Sequence, residues 1–129
     1  MPSDLMARIQ SVLGEIRRLP DVLGAEIARR DGIPIAHALP KTMDPKKIAA
    51  MSSAIVRTSE MAAVEMGMGG YTQSIVDSRT GKLMAAGAGQ EAILVLMLRN
   101  EANMGLILLS VDKAVQSIAG ILDTAEVIA

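Results

Sequence analysis

Hydrophobic residues recur at helical spacing in three segments of the chain, and shorter runs at strand spacing lie between them. The helical segments run from Ser3 to about Arg18, from Asp44 to Met66 and from Asn103 to about Asp123. Alternating or continuous apolar runs bounded by turn residues predict five strands, which are Val22 to Arg30, Ile33 to Leu39, Tyr71 to Asp77, Leu83 to Ala88 and Ala92 to Leu98. The predicted order is therefore helix, two strands, helix, three strands, helix.

The segment from Met104 to Val111 suits either a strand or a helix when it is taken alone, because short apolar runs do not distinguish the two. We expect a helix that begins after the cap residue Asn103, since helical spacing persists from here over about five turns. The apolar positions of that helix are Met104, Ile107, Leu108, Val111, Val115, Ile118 and Leu122.

The first two strands are predicted to form a hairpin at one edge of a sheet. Asp31-Gly32 favours a two-residue turn, because both positions tolerate positive φ. Pro34 cannot donate a backbone hydrogen bond, so the returning strand should be an edge of the sheet. Alternation in the first strand predicts two different faces, one with Leu23, Ala25 and Ile27 and the other including Glu26.

The later strands are expected to be covered in different ways. Ala92 to Leu98 is apolar at every position, which predicts a central strand with helices over both faces of the sheet. Tyr71 to Asp77 carries neither Lys nor Pro, which are residues that commonly protect an exposed edge. We therefore expect the edge of this strand to be paired with another segment.

The helix from Asp44 to Met66 has well-marked ends. Asp44 can accept hydrogen bonds from free backbone N–H groups as an N-cap, and Pro45 suits the first helical position because it has no N–H to lose. Gly67 can adopt the left-handed conformation that ends helices. This helix lies between the two groups of strands, so the rest of the fold is placed relative to it.

At about 100° per residue, this helix has apolar residues on two opposite faces. One is predicted to face the core, and it contains Ile48, Met51, Ile55, Ala62 and Met66, with Thr58 and Ser59. The other contains Ala50, Ala54, Met61 and Val64 among Lys46, Ser53, Arg57 and Glu60. Either this second face is an exposed, alanine-rich surface, or a partner covers it, because small side chains allow close approach.

Composition limits the classes of function that the chain can have. Thirteen Lys and Arg residues against fourteen Asp and Glu residues give a net charge of -1, and the basic residues are scattered. The sequence offers neither a basic patch nor an aromatic stacking platform for nucleic acid, since Tyr71 is the single aromatic residue. The absence of cysteine excludes disulfides and thiolate metal sites, and it fits a cytoplasmic location.

We expect residues 1–129 to form a single domain without further extensions and without membrane insertion. The longest unbroken apolar run, Ala92 to Leu98, has seven residues, whereas a membrane-spanning helix needs about 20. The first apolar residues are spaced as a helix face, unlike the continuous core of a signal peptide. A chain of this length suits one hydrophobic core.

No motif in the sequence indicates catalysis, a cofactor or a metal. Gly87 to Ala92 has the G-x-G-x-x-A spacing of dinucleotide-binding turns, but a strand pattern follows it where a helix is required. Thr80 to Leu83 lacks both the first glycine and the Ser or Thr of a P-loop. His37 is the single histidine, and no motif ties a nucleophile or a carboxylate to it. We therefore expect no enzyme activity.

Three segments, together with the order of elements, have a pattern of small and apolar residues found in a known family. They are the hairpin Asp31-Gly32-Ile33-Pro34-Ile35-Ala36, the half-helix from Ser53 to Gly67, and Ala102-Asn103-Met104-Gly105-Leu106-Ile107 at the start of the last helix. With these features the chain resembles the Roadblock/dynein light chain domain family. The resemblance covers nearly the whole chain. It implies an α/β, profilin-like or longin-like sandwich with a five-stranded antiparallel sheet and helices on both faces. It also implies homodimers joined through the second helix and the third strand.

The resemblance further implies a non-enzymatic role as a scaffold or regulator of Ras-like small GTPases. We expect partner binding to use some of Ala50, Ser53, Ala54, Arg57, Met61 and Val64. We expect the dimer interface to include Tyr71, Gln73 and Ile75 together with Ala54 and Met61. Two alternatives remain open, which are a dimeric scaffold without a GTPase partner and a small-ligand sensor with a pocket near Gly87 and Gly89.

Overall fold

The helical and strand patterns produce three helices and five strands within residues 3–128, the part of the chain that the computed structural model describes. The helices are α1 (Ser3–Arg17), α2 (Pro45–Glu65) and α3 (Met104–Ile128). The strands are β1 (Val22–Arg29), β2 (Pro34–Ala38), β3 (Gln73–Asp77), β4 (Lys82–Ala88) and β5 (Ala92–Leu98). The predicted order of elements is confirmed, and so is the helix predicted over Met104 to Val111.

All five strands form one antiparallel sheet in the order β2-β1-β5-β4-β3. β5 is central, as its apolar sequence predicts, and every residue in it except Met97 is buried. β2 and β3 are the two edges, which confirms the position predicted from Pro34. α1 and α3 cover one face of the sheet and α2 covers the other, so the architecture is the one that the resemblance implies.

The hairpin between β1 and β2 differs from the prediction in its turn. The Arg29 N–H donates to the Ile33 carbonyl at 2.8 Å, so the loop comprises the three residues 30–32. Only Gly32 in this loop has a positive φ, at 91°. The predicted two-residue turn is therefore wrong, because Asp31 does not adopt the left-handed conformation that such a turn would need.

The alternation predicted for β1 is interrupted at its start. An irregularity in the register between Val22 and Gly24 inserts an extra residue into the strand. As a result Val22 lies in the same core as Ala25 and Ile27. Simple alternation had predicted Leu23 on that face.

The capping residues predicted for the last two helices are confirmed. The backbone N–H of Lys46 donates to Asp44 Oδ1 at 2.9 Å, and that of Leu106 donates to Asn103 Oδ1 at 3.2 Å. Gly67 follows α2 with a φ of 63°. These local interactions determine where the helices begin and where α2 ends, independently of the tertiary packing.

The two faces of the sheet have cores of different size. The core under α1 and α3 contains large aliphatic side chains, among them Ile9, Leu13, Ile27, Leu94, Ile107 and Ile118. The core under α2 is smaller and rich in alanine, and its buried residues are Ala28, Ala49, Val56, Ala85, Ile93 and Val95. Because apolar burial contributes in proportion to area, α2 is held on the sheet by less hydrophobic stabilisation than α1 and α3.

The core face predicted for α2 is right only in part, since Ile48 packs against the smaller core and Ser59 bonds to β3. The buried residues of the helix are Ala49, Ser52, Ser53 and Val56. In contrast, Met51 and Met66 from the predicted core face are 66% and 71% exposed. The helix is rotated so that small side chains face the sheet, which lets the helix backbone approach the strands closely. The larger apolar side chains are left on its surface.

α3 is long and apolar enough, by length and composition alone, to span a membrane, and it is the one such helix in the described residues. The window Met104–Asp123 has a mean hydropathy of 1.5, and 33% of its residues are buried. The inward residues Ile107, Val111 and Ile118 pack in the larger core. This inward packing accounts for much of the apolar composition of the helix, since a helix that covers a sheet needs one apolar face.

Candidate functional site

α2 presents two exposed stripes of small and apolar side chains. The outer stripe lies on the side away from the sheet, and it consists of Ala50, Ala54, Arg57, Met61 and Val64, all exposed. Met61 and Val64 are 66% and 75% exposed. The flank stripe lies between the outer stripe and the side of the helix that faces β3, and it consists of Met51, Ile55, Ala62 and Met66, all exposed except the half-buried Ile55. A solvated helix would carry charged residues at most of these positions.

β3 lies beside the flank stripe and pairs with β4 on one side only. Ile75 and Val76 are 45% and 41% exposed, and they point to opposite faces of the sheet. Ile75 is aligned with Met84, which belongs to the core under α3, so Val76 lies on the α2 face. The unpaired edge therefore has an exposed apolar residue on each face, carries neither Lys nor Pro, and has its one charged residue, Asp77, at its end.

Three hydroxyl groups connect β3 to α2. Ser74 Oγ lies 2.8 Å from Ser59 Oγ of the helix and 2.7 Å from the Tyr71 hydroxyl. The Tyr71 hydroxyl also donates to the Ala85 carbonyl at 3.1 Å. Burial raises the pKa of Tyr71, whereas the hydrogen bond with Ser74 lowers it, and the net shift is upward. This network sets the spacing between the flank stripe and the free strand edge.

Arg30 holds the second half of α2 against the sheet. Its Nη1 donates to Glu60 Oε1 and Oε2 at 3.0 and 3.1 Å, and its Nη2 donates to the Gly89 carbonyl at 2.9 Å. A Cβ at Gly87 would lie 2.6 Å from Arg30 Nη2, so the glycine makes room for the guanidinium. Arg30 thus joins the end of β1, the turn between β4 and β5, and the helix that carries both stripes.

The fold and this surface can be compared with known proteins. The family model of the Roadblock/LC7 domain matches residues 8–98. The chain belongs to the Roadblock/LC7 family. Two uncharacterised proteins of Methanocaldococcus jannaschii, MJ1340 and MJ0310, are each 34% identical to it over 110 residues, which cover 85% of this chain and 96% of each relative.

Solved structures with the Roadblock/LC7 fold superpose closely on this chain. The gliding protein mglB of Thermus thermophilus has a TM-score of 0.87 at 22% identity, covering 96% of this chain and 95% of that one. A Roadblock/LC7 domain from Streptomyces avermitilis has a TM-score of 0.81 at 19% identity, covering 87% of this chain and 95% of that one. At these identities the likeness establishes the shared fold.

In this Roadblock/LC7 chain, one predicted partner-binding residue does not lie on the outer stripe. Ser53 is 4% exposed, and its Oγ donates to the Ala50 carbonyl at 2.9 Å. A Cβ at Gly32 would lie 3.0 Å from the same oxygen, so the hairpin turn packs against Ser53. Its assignment to the outward face is wrong, because the rotation of α2 places it on the side that meets the hairpin.

The residues predicted for a dimer interface fall in two places. Gln73 and Ile75 lie on the free edge strand β3. Tyr71 precedes that strand and is half-buried, with its hydroxyl bonded inside the protomer. Ala54 and Met61 lie on the outer stripe, so the flank stripe separates them from the strand edge. The sequence did contain a signal for the flank stripe, since the same apolar pattern was interpreted as the core face.

The sequence of the Roadblock/LC7 chain did not reveal the residues that position α2 and β3. Arg30 and Glu60 lie 30 positions apart in the sequence, and no motif links such a pair. The hydrogen bond between Ser59 and Ser74 was missed for the same reason, because serine is common on protein surfaces and no motif links these two positions. Among the described side chains of residues 4–123, His, Asp and Glu form no group of three or more that could hold a metal ion.

Proposed function

We propose that this chain forms a homodimer through β3 and the flank stripe of α2, and that the dimer acts in the cytoplasm as a non-enzymatic regulator or scaffold of a Ras-like small GTPase. One observation carries the proposal. An unprotected strand edge lies beside a helix whose Met51 and Met66 are 66% and 71% exposed. Contiguous exposed apolar surface of this kind generally marks a contact with another protein.

A two-fold pairing accounts for both halves of this surface. Antiparallel pairing of β3 with its copy would satisfy both free edges and extend the five strands of one protomer to ten. The two flank stripes would then face each other across the axis. Assembly of the same fold into oligomers has a precedent in MglB, for which a structure with a tetrameric arrangement has been solved.

The outer stripes of the two α2 helices would lie side by side on such a dimer and form the surface for the partner. A Ras-like GTPase is proposed from the family resemblance. Ala50 and Ala54 allow close approach, while Met61 can repack against a switch region that changes shape with the bound nucleotide. Arg57 is exposed within the stripe and can pair with an acidic group of the partner. Regulation need not require a catalytic residue, because holding a switch loop in one conformation changes the hydrolysis rate.

The test is binding of a Ras-like GTPase, loaded with GDP or with a non-hydrolysable GTP analogue, to wild type and to surface variants. Arg57→Asp and Ala50→Arg should each weaken binding about tenfold or more, a change of about 1.4 kcal/mol, without altering the mass of the dimer. Lys113→Asp is the matched control, because Lys113 is exposed on α3. Unchanged affinity in both outer-stripe variants would show that the outer stripe is not the binding surface.

A homodimeric scaffold without a GTPase partner is the second candidate, and the same experiment distinguishes it. The dimer would form, and neither nucleotide state would bind. The small-ligand sensor has less support, because Arg30 occupies the space over Gly87 while Ala119 and Asp123 crowd Gly89. The groove between α1 and α3 has a volume of about 200 Å³, smaller than the pockets of about 300–1,000 Å³ that hold small ligands.

A further inference from the structure

A carboxylic acid is enclosed between α2 and the sheet. Glu26 lies in the middle of β1 and is 0% exposed. Both of its carboxyl oxygens lack a hydrogen-bond partner, and none of the ion pairs among the described residues includes it. A buried carboxylate with no partner is strongly unfavourable, because it loses its hydration without compensation. The neutral acid is far more stable in the same place.

The neighbours of Glu26 on the sheet do not neutralise it. In the register of β1, Glu26 is aligned with His37 of β2 and with Val95 of β5. Directly aligned residues share a face, so all three lie on the α2 side, since Val95 belongs to the core under that helix. His37 is exposed, whereas Val95 is 1% exposed and apolar.

The charged groups at the start of α2 also leave the carboxyl uncompensated. Asp44, the N-cap, repels a negative charge on Glu26. Lys46 and Lys47 in the first turn are exposed to solvent. Burial first, and then Asp44, raise the pKa of Glu26 from its ordinary value of 4.5 to about 7. Ser52, on the sheet side of the same helix, is a further buried residue, and its Oγ has no hydrogen-bond partner among the described residues.

The element most able to respond to a charge at this position is α2. Glu26 faces the smaller core, whose α2 members are Ala49 and Val56, while α1 and α3 pack on the opposite face. Ala25 and Ile27, which flank Glu26 along the strand, belong to the larger core. Separation of α2 from the sheet would expose the carboxylate to water and leave the larger core intact.

We propose that Glu26 is a protonation switch under α2, in which the neutral acid lets the helix pack on the sheet and the carboxylate loosens it. The helix that would loosen carries the outer and flank stripes. Protonation of Glu26 would thus favour the rigid form of the surface used for dimer and partner contacts. The switch needs only groups within this chain, so it can be tested without a GTPase partner.

Proton linkage gives the size of the effect. When the helix lifts, the carboxyl recovers its ordinary pKa, so the open form binds fewer protons than the closed form between pH 5 and pH 7. The opening constant should therefore rise with pH by up to about tenfold per unit, or roughly 40-fold from pH 5 to pH 7. Above about pH 7 both forms are ionised and the opening constant should level off.

The test is hydrogen exchange of the full chain at pH 5, 6, 7 and 8, with protection factors corrected for the intrinsic exchange rate and referred to α3 peptides as an internal standard. Wild-type peptides from residues 45–56 should lose protection relative to α3 by roughly 40-fold between pH 5 and pH 7. Glu26→Gln should remove this pH dependence. Constant wild-type protection, or the same dependence in Glu26→Gln, would overturn the proposal.

Three further measurements keep the test decisive. Glu26→Leu removes the carboxyl without burying an amide, and it should also be independent of pH, which covers the case of an unstable Gln variant. His37→Gln should retain the full wild-type dependence, and a flat profile in that variant would assign the effect to His37 and overturn the proposal. A ¹³C titration of the Glu26 carboxyl should show a midpoint near 7, and a midpoint below 5 would also overturn it.

Discussion

Arg30 and Glu60 form an ion pair with 3.0 Å between Nη1 and Oε1, which joins the end of β1 to the second half of α2. The side chains are 32% and 37% exposed, so water partly screens the pair. Arg30 Nη2 and Nε both donate to the Gly89 carbonyl, and these two bonds fix the plane of the guanidinium group. Because the core under α2 is small, this pair contributes to the position of Met61 and Val64 on the outer stripe.

Replacing the arginine should therefore destabilise the protein modestly. Arg30→Met should lower the free energy of unfolding by about 1 kcal/mol, since a partly exposed pair contributes little beyond its hydrogen bonds. Urea denaturation measures this change. The matched control is Arg29→Met, because Arg29 pairs with Asp31 where the side chains are 56% and 51% exposed. An equal loss in both variants would mean that the Arg30 network has no special role.

A glycine beneath the guanidinium offers an independent check of the same network. In Gly87→Ala the new Cβ would lie 2.6 Å from Arg30 Nη2. The flexible side chain should move away and lose its contacts with Glu60 and Gly89, at a cost of about 1 kcal/mol.

A double-mutant cycle measures the coupling. Gly87→Ala should cost clearly less in the Arg30→Met background than in wild type, because the displaced contacts are already absent. Gly120→Ala is the control, since an added Cβ there would meet no other part of the described structure within 4 Å beyond its own helix backbone and chain neighbours, and it should stabilise the helix by about 0.5–1 kcal/mol. Strict additivity of the two network substitutions would contradict the assigned contact.

The buried acid predicts a pH dependence of global stability. The pKa of Glu26 is raised in the folded chain to about 7, so the folded state disfavours the carboxylate. The destabilisation is absent below about pH 4.5, grows as the pH rises to about 7, and is constant above that. Relative to Glu26→Leu, wild type should lose about 3 kcal/mol of unfolding free energy between pH 4.5 and pH 8.

Denaturation at both pH values measures this difference, and His37→Gln serves as the control because His37 is exposed beside Glu26 on β2. The control should follow wild type at each pH. If the gap between wild type and Glu26→Leu were the same at pH 4.5 and pH 8, the buried group would not be titrating in this range.

The elements of the fold could be predicted because their signals are local. Asp44 and Asn103 mark helix starts through their own side chains, and Pro34 marks an edge strand through its missing N–H. The apolar run from Ala92 to Leu98 indicates a central strand, since both of its faces must be covered. None of these inferences needs knowledge of which segments meet in space.

The orientation of α2 could not be predicted, because hydrophobic periodicity does not state what covers an apolar stripe. The spacing of Met51 and Met66 fits a core face, yet in the protomer they are exposed, and Ala49 and Val56 are the residues buried against the sheet. A stripe buried by a second chain has the same pattern as one buried by the chain's own sheet. The buried state of Glu26 was missed for a related reason, since alternation alone assigns it to a polar face although α2 covers that face.

The mass of the protein in solution shows whether the chain forms a homodimer through β3 and the flank stripe. Light scattering after size exclusion at micromolar concentration should give twice the chain mass of 13.6 kDa for wild type. Ile75→Lys should give the monomer mass, because it places a charge on the free edge. Leu109→Lys is the matched control, since Leu109 is 72% exposed on α3, and it should remain a dimer. A monomeric wild type, or an Ile75→Lys variant that stays fully dimeric, would contradict the account.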